Sequence, residues 1–263
     1  MLIPALANSQ SNLKIDNILL KCKYIFIAQK DVKNRFSRET QYMQLLVNNN
    51  KSIYYSQNKQ DGYEALKKDI ISGATNSINI ANKSASYGSG LESEIVVNNM
   101  KGFNIFDKLE PDFTYNAIDS FGIPKWKILN DTTRVMGLLC IKATTTFRGR
   151  NYTAWYNEAI PLKNGPWKLC GLPGLIMKAF DDQHYFEFEC QEITNNPKEK
   201  FVLEDYNNLK QITLFNLQSL KKLRAERFLV YINQQNPQLT SSASTESLMK
   251  KNPEPYNPLE LSK

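Results

Sequence analysis

The single histidine of the chain, His184, is the first residue that suggests catalysis. It follows the acid pair Asp181 and Asp182 and, beside a carboxylate or a thiol, could serve a hydrolase as a general base. No serine or cysteine stands in a recognisable nucleophile motif. Residues alternate along a strand, so His184 is predicted to share a face with Phe186 and Phe188 as a partly buried structural histidine. The two acids are better explained by a hairpin turn than by an acid pair.

Arginine and aromatic side chains form a second candidate site, for ligand binding rather than catalysis. Guanidinium groups donate hydrogen bonds to anions, and aromatic faces stack on flat ligands. An exposed turn above a packed aromatic strand explains the same residues without a ligand, and we favour that interpretation. The candidate ligand-binding residues are Arg148, Arg150, Trp155, Tyr156 and Trp167.

Four cysteines, Cys22, Cys140, Cys170 and Cys190, could form disulfides in an exported chain, with three possible connectivities. If residues 175–180 pair with 184–189, opposite residue numbers sum to about 364, which places Cys190 opposite Gly174 rather than Cys170. The pairing stays open. One histidine and no CxxC leave little for a zinc site, and the nucleotide, calcium and metalloprotease motifs are absent, so we predict no metal and no cofactor.

The overall composition restricts the partners. The chain has 263 residues, an ordinary apolar fraction and a net charge of +7, typical of a globular protein with one good core. Its basic residues are scattered, and the densest run, 221–227, resembles the solvated face of a helix. Without a basic stripe and a reader motif, we predict no nucleic-acid partner. The sequence has no run of about 18 apolar residues, so we predict no membrane span.

Hydrophobic patterning predicts the elements that must position these residues. Residues 20–29 and 42–57 are rich in aromatic and β-branched residues, and the Asn48–Asn50 run predicts a hairpin turn. Apolar residues at helical spacing predict a short helix over 62–71. Between 76 and 136 several short segments, separated by Gly, Asn, Asp and Pro, are typical of successive antiparallel strands.

The second half of the chain gives the clearest pattern. Residues 138–147 and the segment after Asn151 form a long predicted hairpin, with Gly149 suited to a positive φ in its turn. Leucines at helical spacing predict an amphipathic helix over 210–231. The predicted fold is mainly β with a few helices (α+β): a large antiparallel, curved sheet or open half-barrel, with a C-terminal amphipathic helix.

The stretch GPWKLCGLPGLIMKAFDD, residues 165–182, predicts a corner that leads into a strand. Pro173 has the fixed φ of the second position of a type II turn, and Gly174 would supply the positive φ of the third. Residues 175–177 then enter the sheet, and Trp167 packs against the same core.

The N-terminal stretch MLIPALANSQS has small residues at Ala5 and Ala7, the A-x-A arrangement of a signal-peptidase site. It lacks the charged and apolar regions of a full signal peptide. We therefore interpret residues 1–11 as a signal-peptide remnant, 12–232 as one β-rich domain, and 233–263 as a polar, mobile tail.

Residues 140–182 resemble the GLPGLI family, named for the hexapeptide that is here Gly171, Leu172, Pro173, Gly174, Leu175 and Ile176. The elements FRGR, AWY, IP and GPWK precede it in the family's order and spacing. KYIFIA, MQLLV, SIYYS and the final NPLEL are also similar, so the resemblance covers nearly the whole chain. Two features depart from the family pattern. One is Cys170, where the family more usually has glycine or another non-cysteine residue, and the other is the shortened signal sequence.

This resemblance implies an exported envelope protein of Gram-negative bacteria, with no established activity and no catalytic residues to transfer. We therefore expect a non-enzymatic binding, carrier or accessory protein of the periplasm or cell surface, with an unknown ligand or envelope protein as partner. The alternatives are a hydrolase that uses His184 with a nearby carboxylate or thiol, and a purely structural envelope component with an exposed apolar patch.

Overall fold

The computed structural model describes residues 13–29, 31–34, 36–72, 95–99, 102–110, 113–203, 209–217, 219–220 and 260. The predicted signal-peptide remnant lies outside these residues. Of the predicted tail, Glu260 is described, and the rest lies outside the described residues. The division of the chain into remnant, domain and tail stays a prediction.

The described residues form fourteen strands and two short helical segments. The strands are β1 (Leu13–Ile15), β2 (Leu20–Gln29), β3 (Arg38–Val47), β4 (Ser52–Ser56), β5 (Ile95–Asn98), β6 (Phe103–Glu110), β7 (Phe113–Asp119), β8 (Lys127–Val135), β9 (Leu138–Phe147), β10 (Arg150–Asn157), β11 (Leu175–Asp181), β12 (Phe186–Asn195), β13 (Phe201–Leu203) and β14 (Leu209–Thr213). The helix α1 spans Gln57–Ile71, which confirms the helix predicted over 62–71.

Twelve of these strands form one open sheet in the order β14-β7-β6-β5-β4-β3-β2-β12-β11-β10-β9-β8. Every neighbouring pair in it is antiparallel except β14 and β7, which are parallel. The remaining two strands, β1 and β13, pair with each other in a small second sheet. The prediction of a mainly β fold with a large antiparallel sheet is confirmed.

The main core covers one face of the large sheet. Along β2, buried and half-buried residues alternate, so that Cys22, Tyr24 and Phe26 lie in this core. The rings of Phe26 and Phe188 stack there with centroids 4.8 Å apart. A single apolar face per strand is the pattern of an antiparallel sheet packed on one side.

Strands β3 and β4 depart from this alternation because a second core covers their other face. Leu46 and Ile53 pack there with Ile15 of β1 and Phe201 of β13. The Tyr55 and Phe201 rings are 4.7 Å apart. The small sheet therefore covers the middle of the large one, which accounts for the continuous burial of β4.

The predicted hairpin is present as β9 and β10, but its turn is only two residues, Arg148 and Gly149, because Arg150 and Asn151 already belong to β10. Their φ angles are 54° and 77°, so both central residues are left-handed, as in a type I′ turn. The predicted positive φ of Gly149 is confirmed. The Asn48–Asn50 turn between β3 and β4 is also present, and Asn48 Oδ1 accepts hydrogen bonds from the backbone N–H groups of Asn50 and Lys51.

The helix predicted over 210–231 begins later than expected. Residues 209–213 form β14, which pairs with the free edge of β7. Residues 214–217 and 219–220 are helical, with Leu217 buried in a cluster with Ile105, Tyr115 and Ala117 of the sheet. Residues 221–231 lie outside the described residues. The backbone groups of residues 209–213 form hydrogen bonds with the open edge of the sheet, so this segment is a strand. The helical spacing of the leucines does not reveal that edge.

The predicted register of β11 and β12 is wrong by three residues, since Lys178 lies opposite Glu189. The turn between the strands closes at Asp181. Its backbone carbonyl accepts from the N–H of His184 at 2.7 Å, and its Oδ1 accepts from the N–H of Phe186 at 2.8 Å. A side-chain acceptor therefore lengthens the turn. On its other edge β12 pairs with β2, where Cys190 lies opposite Tyr24.

Candidate functional site: a buried cluster of charged residues

His184 lies in the β11–β12 turn rather than on a strand face. Its φ is 54° and its side chain is 53% exposed, so the predicted burial beside Phe186 and Phe188 is wrong. Its ring stacks on Phe180 at 4.4 Å, and its Nδ1 is 3.5 Å from Glu187 Oε1. The strand begins only at Phe186, so strand alternation does not extend back to the histidine.

The two acids before His184 have separate partners, as a hairpin turn predicts. Asp181 is buried, and its Oδ2 accepts from Arg150 Nη1 at 3.1 Å. Asp182 is exposed and accepts from the Asn151 side chain at 3.0 Å. They do not form an acid pair.

The predicted ligand-binding residues divide between the two faces of the sheet. Arg150 and Tyr156 are buried on the core face of β10, whereas Trp155 lies on the opposite face, with Lys142 5.8 Å above its ring. Arg148 and Trp167 come together through Phe147. The guanidinium carbon of Arg148 is 5.4 Å from the Phe147 ring, and that ring is 6.0 Å from Trp167.

Around Arg148 the structure assembles four charged residues from four distant parts of the chain: Arg148, Lys168, Asp119 and Glu260. We call this group the charge cluster. Lys168 Nζ lies 2.8 Å from Asp119 Oδ2 and also contacts Glu260 Oε1. Arg148 Nη2 donates to Asp119 Oδ1, and its Nη1 is 3.7 Å from Glu260 Oε2.

The charge cluster is almost completely removed from solvent. The exposed fractions of the side chains are 0% for Lys168, 1% for Asp119, 3% for Arg148 and 12% for Glu260. Buried charges are tolerated only when they are paired and hydrogen-bonded. Two cations and two carboxylates give the charge cluster a formal charge of zero, so each buried charge is compensated.

Aromatic rings enclose the two cations. The guanidinium carbon of Arg148 lies 4.3 Å from the ring centre of Phe121, and Lys168 Nζ lies 5.4 Å from that of Trp167. Cation–π contacts of this kind contribute more when water is excluded. The rings therefore hold both cations in place without adding a negative charge.

The backbone at Arg148 and at Trp167 is left-handed, with φ angles of 54° and 52°. Such angles are uncommon for large residues that are not glycine, and each costs about 1–3 kcal/mol unless the surroundings compensate. Here both of them carry or adjoin a cation of the charge cluster.

The loop that carries Lys168, residues 158–174, is fixed to the sheet by hydrogen bonds at several points. Asn164 Nδ2 donates to Ser52 Oγ at 3.0 Å, and Trp126 Nε1 donates to the Cys170 carbonyl at 2.8 Å. Directly after the loop, at the start of β11, the Tyr24 hydroxyl donates to the Ile176 carbonyl at 2.7 Å. Lys168 is thereby positioned over the sheet by rigid elements.

The glycines of the hexapeptide have roles different from those predicted. The positive φ occurs at Gly171, at 96°, and not at Gly174, so the predicted type II turn is wrong. Glycine is required at position 174 instead because the backbone of β10's last residue lies very close to it. A Cβ there would overlap the carbonyl oxygen of Asn157 and lie 2.6 Å from its carbonyl carbon. The cause is a contact with β10, which the local sequence does not encode.

Replacing Tyr24 by phenylalanine tests the attachment of the start of β11, into which the loop that carries Lys168 leads. We expect the free energy of unfolding to fall by about 1–2 kcal/mol, because the variant leaves the buried Ile176 carbonyl without this donor. Urea unfolding measures the change. The matched control is Tyr42→Phe, at a half-exposed tyrosine, which we expect to change stability by less than about 0.5 kcal/mol. Equal effects of the two variants would contradict this role of Tyr24.

Electrostatics at Asp119 favour the charged form. Burial alone would raise the pKa of its carboxyl group, but the charges of Lys168 and Arg148 and their hydrogen bonds outweigh it and lower the pKa below its ordinary value. Asp119 is therefore ionised at neutral pH and compensates both cations.

The four cysteines are free thiols, and all are buried. The Cys22 thiol hydrogen-bonds with Cys190, and this contact together with burial raises the pKa of Cys22 well above its ordinary value. Burial raises the pKa of Cys170 to about 11, although a hydrogen bond with Asn98 opposes this shift. Thiols with a raised pKa are poor nucleophiles.

Thiol titration tests this description of the cysteines. In the reduced, folded protein we expect all four thiols to react with an aromatic disulfide reagent only as fast as the chain unfolds, because they are buried. In denaturant all four should react at once. One thiol that reacts rapidly in the folded protein would contradict the prediction.

Sequence reasoning missed Lys168, Asp119 and Glu260. Lys168 ends the GPWK element, which the patterning indicates only as a corner, and Glu260 lies in the NPLEL element. Both elements are among the segments that resemble the GLPGLI family, and this resemblance is the signal in the sequence that could have indicated Lys168 and Glu260. Nothing in the local sequence marks Asp119, the last residue of β7.

The described residues contain neither a metal centre nor a membrane-spanning helix. No group of three or more histidine, cysteine or acidic side chains in the described ranges is arranged to hold a metal ion. None of the helices in the same part of the chain has the length and hydropathy of a membrane-spanning segment.

The fold and the site thus define an open, mainly antiparallel β protein with a buried charge cluster. A family model described as "Protein of unknown function (Porph_ging)" matches residues 146–178, a segment that contains Arg148, Lys168 and the hexapeptide. No curated protein matches the chain significantly.

Solved structures show a similar fold. Two crystal forms of PNGF-II, in space groups P21 and C2, match with a TM-score of 0.53 and 15% identity over 77% of this chain. The chain spans only about a third of those proteins, 33% and 32%. MucB in complex with MucA(peri) matches with a TM-score of 0.31 and 7% identity, over 73% of this chain and 54% of that one, which is too low to support an argument.

Proposed function

We propose that this chain is a non-enzymatic binding or accessory protein of the periplasm or cell surface and a member of the GLPGLI family. The observation that carries the proposal is the charge cluster. Its two buried cations hold a carboxylate that comes from 92 residues away in the chain. Charge-assisted hydrogen bonds from arginine and lysine are a common means of recognising carboxylates.

The family match supports this assignment. The matched segment, residues 146–178, contains the hexapeptide and both cations of the charge cluster, and the family is described as one of unknown function. The likeness to PNGF-II concerns the fold alone, because identity is 15% and a fold does not define an activity.

The hydrolase alternative has weaker support. His184 is exposed in a turn, its nearest carboxylate is Glu187 at 3.5 Å, and the cysteines are buried in the cores. A general base requires a nucleophile within hydrogen-bond reach. The residues around His184 therefore favour a surface contact with Glu187 over catalysis.

A structural envelope component is the second candidate, and one observation favours it. The tip of the β8–β9 hairpin exposes three apolar side chains, with exposed fractions of 46% for Met136, 36% for Leu138 and 54% for Leu139. Exposed apolar side chains that adjoin one another are typical of contact surfaces. They also suit an accessory protein that binds a partner.

Cell fractionation tests the compartment. The gene is expressed with its native upstream sequence in a Gram-negative host, and periplasmic, membrane and cytoplasmic fractions are probed for the chain. We expect it in the periplasm or at the surface, as the A-x-A site predicts. Protein found in the cytoplasm alone would contradict the proposal.

Native mass spectrometry of protein purified from the envelope tests binding against catalysis. We expect a retained ligand whose mass stays unchanged during prolonged incubation. The His184→Ala variant should retain the same ligand, because His184 lies outside the charge cluster. Conversion of the ligand by the wild type, lost in His184→Ala, would instead establish the hydrolase.

A further inference from the structure

The partner of the charge cluster can be inferred from its chemistry, on the basis of the proposed binding function. We propose that Arg148, Lys168 and Asp119 form a carboxylate-binding site for an acidic segment of a partner polypeptide. In the free protein, Glu260 occupies that site from within the same chain.

The charge balance requires an anion at this position. Without the Glu260 carboxylate, two cations would face one carboxylate, and the buried group would have a formal charge of +1. With Glu260 in place, Lys168 is fully buried and Arg148 is 3% exposed, so the charges of the group compensate one another. A cation that loses its partner in such a group is unfavourable. The site therefore attracts a carboxylate when Glu260 leaves.

Glu260 does not use all the donors that the site offers. Arg148 Nη1 is 3.7 Å from Glu260 Oε2, which is too long for a direct hydrogen bond. A charge-assisted hydrogen bond between arginine and a carboxylate is shorter, at about 2.7–2.9 Å. A carboxylate that approached Nη1 to that distance would thus bind better than Glu260 does.

The charge of the site favours a carboxylate over a phosphate. Asp119 occupies one side of both cations, so an incoming group meets a net charge of +1. A singly charged carboxylate restores neutrality there. A doubly charged phosphate would leave a buried negative charge beside Asp119.

Two observations favour a polypeptide over a free carboxylic acid. The occupant in the structure is itself a glutamate side chain of a polypeptide. The Phe121 ring, stacked on Arg148 and 59% exposed, offers an apolar surface beside the cluster for residues that flank the acid. The net charge of +7 would also attract an acidic partner.

A peptide that copies the chain's own segment provides the probe. An acetylated, fluorescent peptide of residues 256–263, YNPLELSK, is titrated against the full-length Glu260→Ala protein, and a second peptide has glutamine in place of the glutamate. We expect the glutamate peptide to bind at least about tenfold more tightly than the glutamine peptide. The wild-type protein should bind it at least about tenfold more weakly, because the tethered Glu260 competes at a high effective concentration.

Several outcomes would overturn the inference. Equal binding of the two peptides, or no binding to a folded Glu260→Ala protein, would reduce Glu260 to a structural ion pair. Sodium acetate that stabilises Glu260→Ala as much as the peptide does would indicate a site for small carboxylates, and tighter binding of inorganic phosphate would contradict the charge argument. Circular dichroism verifies folding, and Glu260→Gln replaces Glu260→Ala if the latter does not fold.

The peptide titration tests the carboxylate-binding site, and native mass spectrometry tests the binding function, so either proposal can fail without the other. If native mass spectrometry detects a retained ligand but neither peptide binds, the binding function holds and the acidic polypeptide partner is wrong. If the glutamate peptide binds as expected while no envelope ligand is found, the site is real but the proposed function lacks its natural partner.

Discussion

Replacing Asp119 by asparagine is expected to lower the free energy of unfolding by about 3–5 kcal/mol, the usual effect of breaking a buried ion pair from one side. Asparagine preserves the shape of the side chain, removes its charge and replaces one acceptor oxygen by an amide donor. Lys168 and Arg148 would then share the Glu260 carboxylate alone, and the buried cluster would have a net charge of +1. Urea unfolding at pH 7 measures the effect.

The matched control for this variant is Asp131→Asn. Asp131 is 62% exposed and lies 3.9 Å from Lys142, so its loss should change stability by less than about 1 kcal/mol. A change at Asp119 no larger than the change at Asp131 would mean that the charge cluster does not stabilise the fold.

The same carboxylate predicts an acid-dependent loss of stability. The pKa of Asp119 is lower in the folded protein than in the unfolded chain, so folding favours its ionised form. This stabilisation is fully present above the unfolded pKa of about 3.9 and is lost as the pH falls through the lower folded pKa. The difference between wild type and Asp119→Asn should therefore shrink below about pH 4. A difference that stays constant down to pH 2 would contradict this assignment.

Gly174→Ala is expected to destabilise the protein by at least about 3 kcal/mol, or to prevent folding, because the new methyl group would overlap the backbone of Asn157. The atoms that this methyl group would meet are main-chain atoms at the end of β10, and they cannot move aside as a flexible side chain can. Thermal and urea unfolding of the full-length variant measure the loss.

Gly171→Ala is the control that separates crowding from backbone conformation. Gly171 has a φ of 96°, but the nearest side-chain atom to an added Cβ is at 3.5 Å, an ordinary contact. We expect a cost of about 1–2 kcal/mol from the left-handed backbone alone. A larger loss at Gly171 than at Gly174 would show that the hexapeptide is a turn motif, as the sequence patterning predicts, rather than a close-packing motif.

The candidate site could be predicted only in part. Arg148, which the sequence suggests as a ligand-binding residue, belongs to the charge cluster, and Trp167 packs next to it across Phe147; ligand binding by either residue stays a prediction. Trp155 was placed with them by sequence proximity, but strand alternation puts it on the other face of the sheet. Lys168, Asp119 and Glu260 could not be predicted, because a lysine or an acid has no local signature of burial.

The sequence by itself determined the features that depend on near neighbours. Alternating residues and the Arg148–Gly149 step specify the β9–β10 hairpin, because a two-residue turn needs left-handed backbone that glycine readily adopts. Helical spacing likewise specifies α1, and the succession of short strands specifies a large antiparallel sheet. These preferences act over a few residues, so a single sequence reveals them.

Only the tertiary structure decided which distant residues meet. The register of β11 on β12 follows from the Asp181 side chain, and the need for Gly174 follows from the approach of Asn157. The charge cluster joins residues up to 141 positions apart, from Asp119 to Glu260, around Lys168. Buried charges find their partners through the packing of the whole sheet, and nothing in the local pattern specifies that pairing.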